Sequence, residues 1–176
     1  MADQAQLDLR EPARATFSRC GRYRYSLRRR TGIDNERQCL WIMLNPSTAD
    51  AEQDDPTIRK VVAFARSWGY GWAVVGNVYG FRSTDPTKLW KAKDPVGSHN
   101  DHMLAGLVTT ADLVVCGWGK HAKPGRVRDV ADLAQRVRAW RGRPDWHCLA
   151  LNNDGSPRHP LYLSGDLKPR RFVDAA

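Results

Sequence analysis

Amide and imidazole side chains follow the four most apolar runs of this 176-residue chain. Asn45 and Asn77 come directly after the first and second runs, and His121 and His159 follow the third and the fourth. An amide carries paired donors and acceptors, which suit the edge of a planar polar ring. If the four run ends lie at one edge of a sheet, the residues predict a single polar site for a heterocyclic ligand.

Each of these residues also has a structural explanation. Turn capping would account for Asn45 and Asn77, because Asx side chains commonly bond their own backbone. A solvated loop would account for His121, which lies among lysine and glycine. The nearby carboxylates are expected mainly to cap turns and helices: Asp50, Asp54 and Asp55. The convergence of several such residues favours a site more than any one of them does.

The elements that must position these residues are predicted from the apolar pattern. Near-continuous apolar runs, typical of strands covered on both faces, occupy 39–44, 72–76, 112–117 and 146–151. Helical periodicity lies between them, starting at Asp55-Pro56 and over 98–110, where Ser98 is the expected N-cap, and 126–141. The alternation predicts an α/β fold, a three-layer α/β/α sandwich around a central, mainly parallel four-stranded sheet. Residues 21–30 predict an N-terminal edge strand with one basic face that includes Arg24.

Length and composition predict a flexible arm over residues 1–15 and a single domain over 16–176. No apolar stretch approaches the roughly 20 residues of a membrane span, and no secretory signal is evident, so a soluble cytoplasmic protein is expected. The four cysteines lie far apart, so no metal or other cofactor is expected. Motifs of dinucleotide oxidoreductases, P-loop nucleotidases and serine hydrolases are absent from the sequence.

The net charge of +9 is distributed unevenly. Residues 10–30 hold eight arginines against one glutamate, and residues 119–143 hold eight lysines and arginines against two aspartates. Basic blocks around a less basic centre predict a polyanionic partner, although an arginine-rich solvated surface would give the same balance. The candidate contact residues are Arg24, Lys120, Arg158, Arg170 and Arg171.

Several short motifs make the chain similar to known families. The segments Tyr23-Arg24-Tyr25, Leu44-Asn45-Pro46-Ser47-Thr48-Ala49-Asp50, Asp55-Pro56-Thr57 and His159-Pro160-Leu161-Tyr162 resemble the bacterial and phage family catalogued as domain of unknown function 1643. More distantly, the chain resembles the uracil-DNA glycosylase superfamily. That resemblance rests on Asn45-Pro46, Asn77, Trp118-Gly119-Lys120-His121-Ala122 and His159-Pro160.

The glycosylase resemblance implies hydrolysis of the N-glycosidic bond of a flipped uracil or 5-substituted uracil in DNA, as in base excision repair. It implies that Asn45 positions the water, with Asp50 assisting, and that His159 stabilises the departing base. Asn77 would read the base, and Phe81 or Tyr79 would stack on it. Strict uracil enzymes carry a Tyr where this chain has Ser47, so bases such as 5-hydroxymethyluracil would be admitted, and the hydroxyl of Ser47 or Thr48 could bond their substituent.

The same resemblance implies contacts with duplex DNA. Leu161 or Tyr162 would fill the gap left by the flipped base, and Lys120, His121 and the arginines would hold phosphates. Leu161 stands where the family has Ser, which leaves one phosphate contact in doubt.

Two alternatives remain open at this stage. The chain could be a non-catalytic reader of modified nucleic acid, since position 45 carries an amide rather than a carboxylate. It could also be a hydrolase or transferase that acts on free nucleosides or RNA. In each case a monomer is expected.

Overall fold

A computed structural model describes residues 15–47, 49–141 and 145–172. The strands are β1 (Ala15–Phe17), β2 (Arg24–Arg30), β3 (Gln38–Met43), β4 (Trp72–Asn77), β5 (Leu113–Cys116), β6 (Trp146–Cys148) and β7 (Arg170–Arg171). The helices are α1 (Pro56–Ser67), α2 (Pro86–Lys91), α3 (Asn100–Thr110) and α4 (Pro124–Arg141), and a short 3₁₀ helix covers Pro160–Tyr162. Residues 1–14 of the predicted arm, and Thr48, lie outside the described part of the chain, and Ala15 begins β1.

The strands form one mixed seven-stranded sheet in the order β1-β2-β4-β3-β5-β6-β7. β3 pairs in parallel with β4 and β5, and β5 pairs in parallel with β6. The other neighbours, β1 with β2, β2 with β4 and β6 with β7, pair antiparallel. The predicted α/β class is confirmed. The predicted number of four strands is wrong, and β2 is not an edge strand, because β1 pairs along its other side.

Two apolar clusters, one on each face, hold the helices against the sheet. On one face Ile58, Val61 and Phe64 of α1 pack with Trp41 and Val75. On the other face, the helices contribute Leu104 and Leu107 of α3 and Val130 of α4. These side chains pack with Leu40 of β3 and Val114 of β5. The central strands are therefore covered on both sides, which explains their continuous apolar sequence.

Sequence signals located most of the helices. The helix predicted to begin at Asp55-Pro56 is α1, with the Asp55 side chain accepting from the Ile58 N–H and proline at the start. The prediction of Ser98 as an N-cap is wrong: His99 precedes α3, and its side chain makes no capping bond. The helix over 126–141 is confirmed as α4, which begins two residues earlier. α2 was not predicted: Asp85-Pro86 repeats the start of α1, but its six residues are too few to display a helical period.

Candidate functional site

A cleft of about 310 Å³ lies where β3, β4 and β5 end, at the carboxyl edge of the parallel strands. Its polar lining comes from several separate segments and includes Arg24, Asn45, Ser47, Asp55, Asn77 and His159. Trp118 and His121, from the loop after β5, also line it. The structure therefore brings together Asn45, Asn77, His121 and His159, the four residues singled out at the run ends.

Asn77 is the buried amide of this cleft. It is the last residue of β4, its exposed fraction is 1%, and neither Oδ1 nor Nδ2 has a hydrogen-bond partner within the described residues. The backbone around it is fixed, because Asn100 Nδ2 donates to the Asn77 carbonyl at 3.0 Å. A buried amide without partners destabilises the fold by about 1–3 kcal/mol. Such a group is suited to a ligand that offers one donor and one acceptor.

Asn45 joins the two loops that border the cleft. Its Nδ2 donates to the carbonyl of Ser83 at 2.8 Å and to that of Pro46 at 3.1 Å, with a longer contact of 3.4 Å to the Phe81 carbonyl. Since the two amide hydrogens are directed at backbone carbonyls, Oδ1 is the atom that can accept a hydrogen bond from a water or ligand in the cleft.

His159 contributes a neutral hydrogen-bond donor. It lies in the loop after β6, and its Nδ1 accepts from the Leu161 N–H at 3.3 Å, so the proton of the neutral ring is on Nε2. Burial lowers the pKa of His159 below its usual value, an effect that the Asp55 carboxylate partly opposes. The ring is therefore uncharged at pH 7 and can donate from Nε2.

Asp55 lines the cleft as well as capping α1. One oxygen, Oδ1, accepts from the Ile58 N–H at 2.9 Å. It is the sole carboxylate among the described residues of the lining. From its sequence context, Asp55 was predicted to act only as a cap. The signal that could have revealed its second role is topological, because a helix that follows a strand begins at the carboxyl edge of the sheet.

Arg24 also lines the cleft, which corrects the prediction of an exposed basic face. Its exposed fraction is 2%, and its Nη1 donates to the Ala49 carbonyl. Burial is the main cause that lowers the pKa of Arg24 to about 10, so the guanidinium is still charged at pH 7. The predicted role on a DNA-facing surface does not fit a side chain with so little exposure.

Three predicted site residues lie outside the cleft lining. Asp50 Oδ1 accepts from the N–H groups of Glu52 and Gln53, and these bonds lower the pKa of Asp50. Tyr79 is buried, and its hydroxyl accepts from the backbone N–H of Lys123. The Phe81 ring packs edge-on against Tyr23. Trp118, which entered the sequence comparison only as the first residue of the motif 118–122, is the aromatic residue that lines the cleft.

The predicted DNA-contact residues are spread over a wider surface. Leu161 and Tyr162 follow His159 directly in the 3₁₀ helix, and the side chain of Tyr162 is 85% exposed. Arg158 is exposed beside them, and Lys120 lines a neighbouring cleft next to α4. Arg170 and Arg171 lie on β7 at the far edge of the sheet, where Arg171 forms an ion pair with Asp145.

Neither a metal-binding cluster nor a membrane-spanning helix is found in residues 15–47, 49–141 and 145–172. They contain no group of three or more His, Cys, Asp or Glu side chains placed to hold a metal ion. No helix in these ranges has both the length and the apolar character needed to cross a membrane.

Fold and site together define an α/β protein with a polar cleft at the carboxyl edge of its sheet. A family model described as a protein of unknown function, domain of unknown function 1643, matches residues 24–161. This range is most of the chain, so the chain belongs to that family. Comparisons with curated proteins and with solved structures each found no match.

Proposed function

We propose that this protein is a DNA glycosylase that hydrolyses the N-glycosidic bond of a flipped uracil or 5-substituted uracil. The observation that carries the proposal is the buried, unpartnered Asn77 amide in the same cleft as a neutral His159. A pyrimidine edge presents the adjacent donor and acceptor that such an amide needs. The resemblance of the strand-end motifs to uracil-DNA glycosylases supports the same function. It also supports a uracil-DNA glycosylase-like fold for the domain.

The proposed reaction uses three residues of the lining. A water held by Asn45 Oδ1 attacks the anomeric carbon, forms the new C–O bond and gives its proton to the Asp55 carboxylate. The C–N bond to the base breaks, and its electron pair leaves with the base. His159 Nε2–H donates to the base oxygen on which the negative charge develops. This hydrogen bond lowers the activation barrier by about 3–4 kcal/mol. Asp55 thus takes the role that the sequence analysis gave to Asp50.

Exposed groups around the cleft support a DNA substrate. Arg158 and Lys120 are exposed near its rim, and the net charge of +9 favours a polyanion. Tyr162 projects into solvent three residues after His159, where it could fill the space of a flipped nucleotide. Binding should therefore weaken steeply as the salt concentration rises.

The proposal is tested with oligonucleotides that each contain one uracil, 5-hydroxymethyluracil, modified cytosine, or thymine opposite guanine. Hot alkali reveals abasic sites. We expect cleavage at uracil or 5-substituted uracil, lowered about 10²–10³-fold by His159→Ala and by Asn45→Ala. The matched controls are His102→Ala and Asn153→Ala, two exposed residues outside the cleft lining, which should keep the wild-type rate.

Other outcomes of this assay would replace the proposal. Tight, salt-sensitive binding without cleavage would identify a reader of modified DNA. Activity on free nucleosides or RNA in a parallel assay, with none on DNA, would identify the remaining alternative. Cleavage that survives both cleft substitutions would place the reaction elsewhere in the molecule.

Ser47 is expected to set the tolerance for 5-substituted bases. Its small side chain lines the cleft, and a Tyr there would occupy the space beside the base. Ser47→Tyr should lower excision of 5-hydroxymethyluracil about 10-fold or more and leave uracil excision nearly unchanged. The exposed Ser98→Tyr variant is the control. An equal loss for both bases in the Ser47 variant would show that position 47 does not discriminate between them.

A further inference from the structure

Arg24 is a buried cation that forms no ion pair within the described part of the chain. Its Nη1 is bonded to the Ala49 carbonyl, and its Nε has no partner. No ion pair of the described residues contains Arg24, whereas Arg29, for example, pairs with Asp54. Removing an ion from water destabilises a protein by several kcal/mol unless a partner compensates. A buried guanidinium without an ion-pair partner, at the wall of a cleft, indicates that the cleft binds a ligand.

A change of strand register directs this side chain into the cleft. Leu27 belongs to the cluster on the α1 face, so regular alternation would place Tyr25 on that face and Arg24 on the other. The pairing of β1 with β2 shifts by one residue between Thr16 and Phe17, opposite this segment. Tyr25 then packs against His99, next to α3, while Arg24 lines the cleft with Asn77. Irregularities of this kind often re-aim a side chain beside a functional site.

Within the described residues, Arg24 has no direct ion-pair partner. The carboxylates of Asp55 and Asp50 raise its pKa, but neither forms an ion pair with it. The Asp55 carboxylate is already bonded to an N–H at the positive end of α1. Two further cations, Arg82 and Arg29, lie close enough to lower the pKa of Arg24 themselves. The effects of these two arginines and two carboxylates oppose one another, and none of these groups pairs directly with the guanidinium.

We propose that the cleft binds an anionic group of its ligand, a carboxylate or a phosphate, against the Arg24 guanidinium. The proposal rests on the proposed function only in that the pyrimidine enters the same cleft beside Asn77. A guanidinium recognises either group through strong charge-assisted hydrogen bonds. The anion is carried either by the base, as a ring carboxylate, or by the nucleotide, as its phosphate.

Calorimetric titration of the whole protein with matched small probes tests this. The pairs are uracil with 5-carboxyuracil, and deoxyuridine with deoxyuridine 5′-monophosphate, with inorganic phosphate alone as a fifth probe. We expect the anionic member of one pair to bind about ten- to hundred-fold more tightly than its neutral partner. The pair that shows the preference identifies the source of the anion. Equal affinities within both pairs would overturn the proposal.

Variants then connect the preference to Arg24. Arg24→Gln should abolish it and leave the affinity for the neutral probe unchanged, and Arg24→Lys should retain part of it. Arg66→Gln, a change at an exposed arginine of α1 outside the lining, is the control. A preference that persists in a folded Arg24→Gln variant would assign the anion to another cation and overturn the proposal.

A measurement on the wild-type protein covers the case in which these variants do not fold. The buried Nε–H of Arg24 should give a slowly exchanging signal in a ¹⁵N-arginine spectrum. That signal should shift with the anionic probe and not with the neutral one, and a signal indifferent to both would contradict the proposal. Binding is measured without turnover, so anion preference without excision would leave this proposal standing and remove the glycosylase. Excision without anion preference would do the reverse.

Discussion

Replacing Asp55 by Asn is expected to lower the excision rate about 10²–10⁴-fold while the folded protein keeps its stability. In the proposed reaction the Asp55 carboxylate accepts the proton of the attacking water, and an amide cannot accept it. The capping role is preserved, because Asn and Asp are comparably good N-caps and the Asn oxygen can still accept from the Ile58 N–H. The measurement is single-turnover excision together with urea unfolding of the same preparation.

The chain offers a matched control at a second Asp-Pro helix start. Asp85 caps α2 by accepting from the Thr87 N–H at 2.8 Å, and it lies outside the cleft lining. Asp85→Asn removes the same charge from the same kind of position, so it should leave the excision rate unchanged. An unaltered rate in Asp55→Asn would remove Asp55 as the proton acceptor. A loss confined to KM would make its role binding rather than proton transfer.

Local patterns were sufficient to predict the middle of the fold and the position of the polar cleft. The strands β3 to β6 follow from apolar runs, and α1 follows from an Asp-Pro start and a clear apolar stripe. Asn45, Asn77 and His159 meet because loops after neighbouring parallel strands share one edge of the sheet. This convergence depends on topology alone, which is why a sequence pattern could anticipate it.

The other features of the fold and of the cleft depend on tertiary contacts, which a local sequence pattern does not reveal. β1 and β7 have three and two residues, too few to show an alternation. The one-residue register shift between β1 and β2 moved Arg24 from a predicted surface into the cleft. Tyr79 was predicted to stack on the base, but it packs against Trp90. Aromatic side chains suit a core as well as a ligand, so their type alone did not decide between the two.

Replacing Asn77 by Leu is expected to make the protein more stable and inactive at once. Leu has a similar branched shape and no polar atoms, so the substitution removes two buried groups that lack partners. The free energy of unfolding should rise by about 1–3 kcal/mol, measured by urea denaturation. Excision should fall about 10²–10³-fold, because the base loses the donor and acceptor that hold its edge. Opposite changes in stability and activity are typical of a residue kept for function.

A second buried asparagine provides the contrast that interprets this result. Asn100 is as buried as Asn77, and its Oδ1 also lacks a partner among the described residues, but its Nδ2 donates to the carbonyls of Asn77 and Val78. Asn100→Leu should therefore lower the free energy of unfolding by about 1 kcal/mol or more. If Asn77→Leu destabilises the protein as Asn100→Leu does, the Asn77 amide stabilises the fold. The main observation that supports base binding in the cleft would then be removed. If the two variants change stability in opposite directions, the unpartnered amide is reserved for a ligand, and loss of excision in the same variant identifies that ligand as the substrate base.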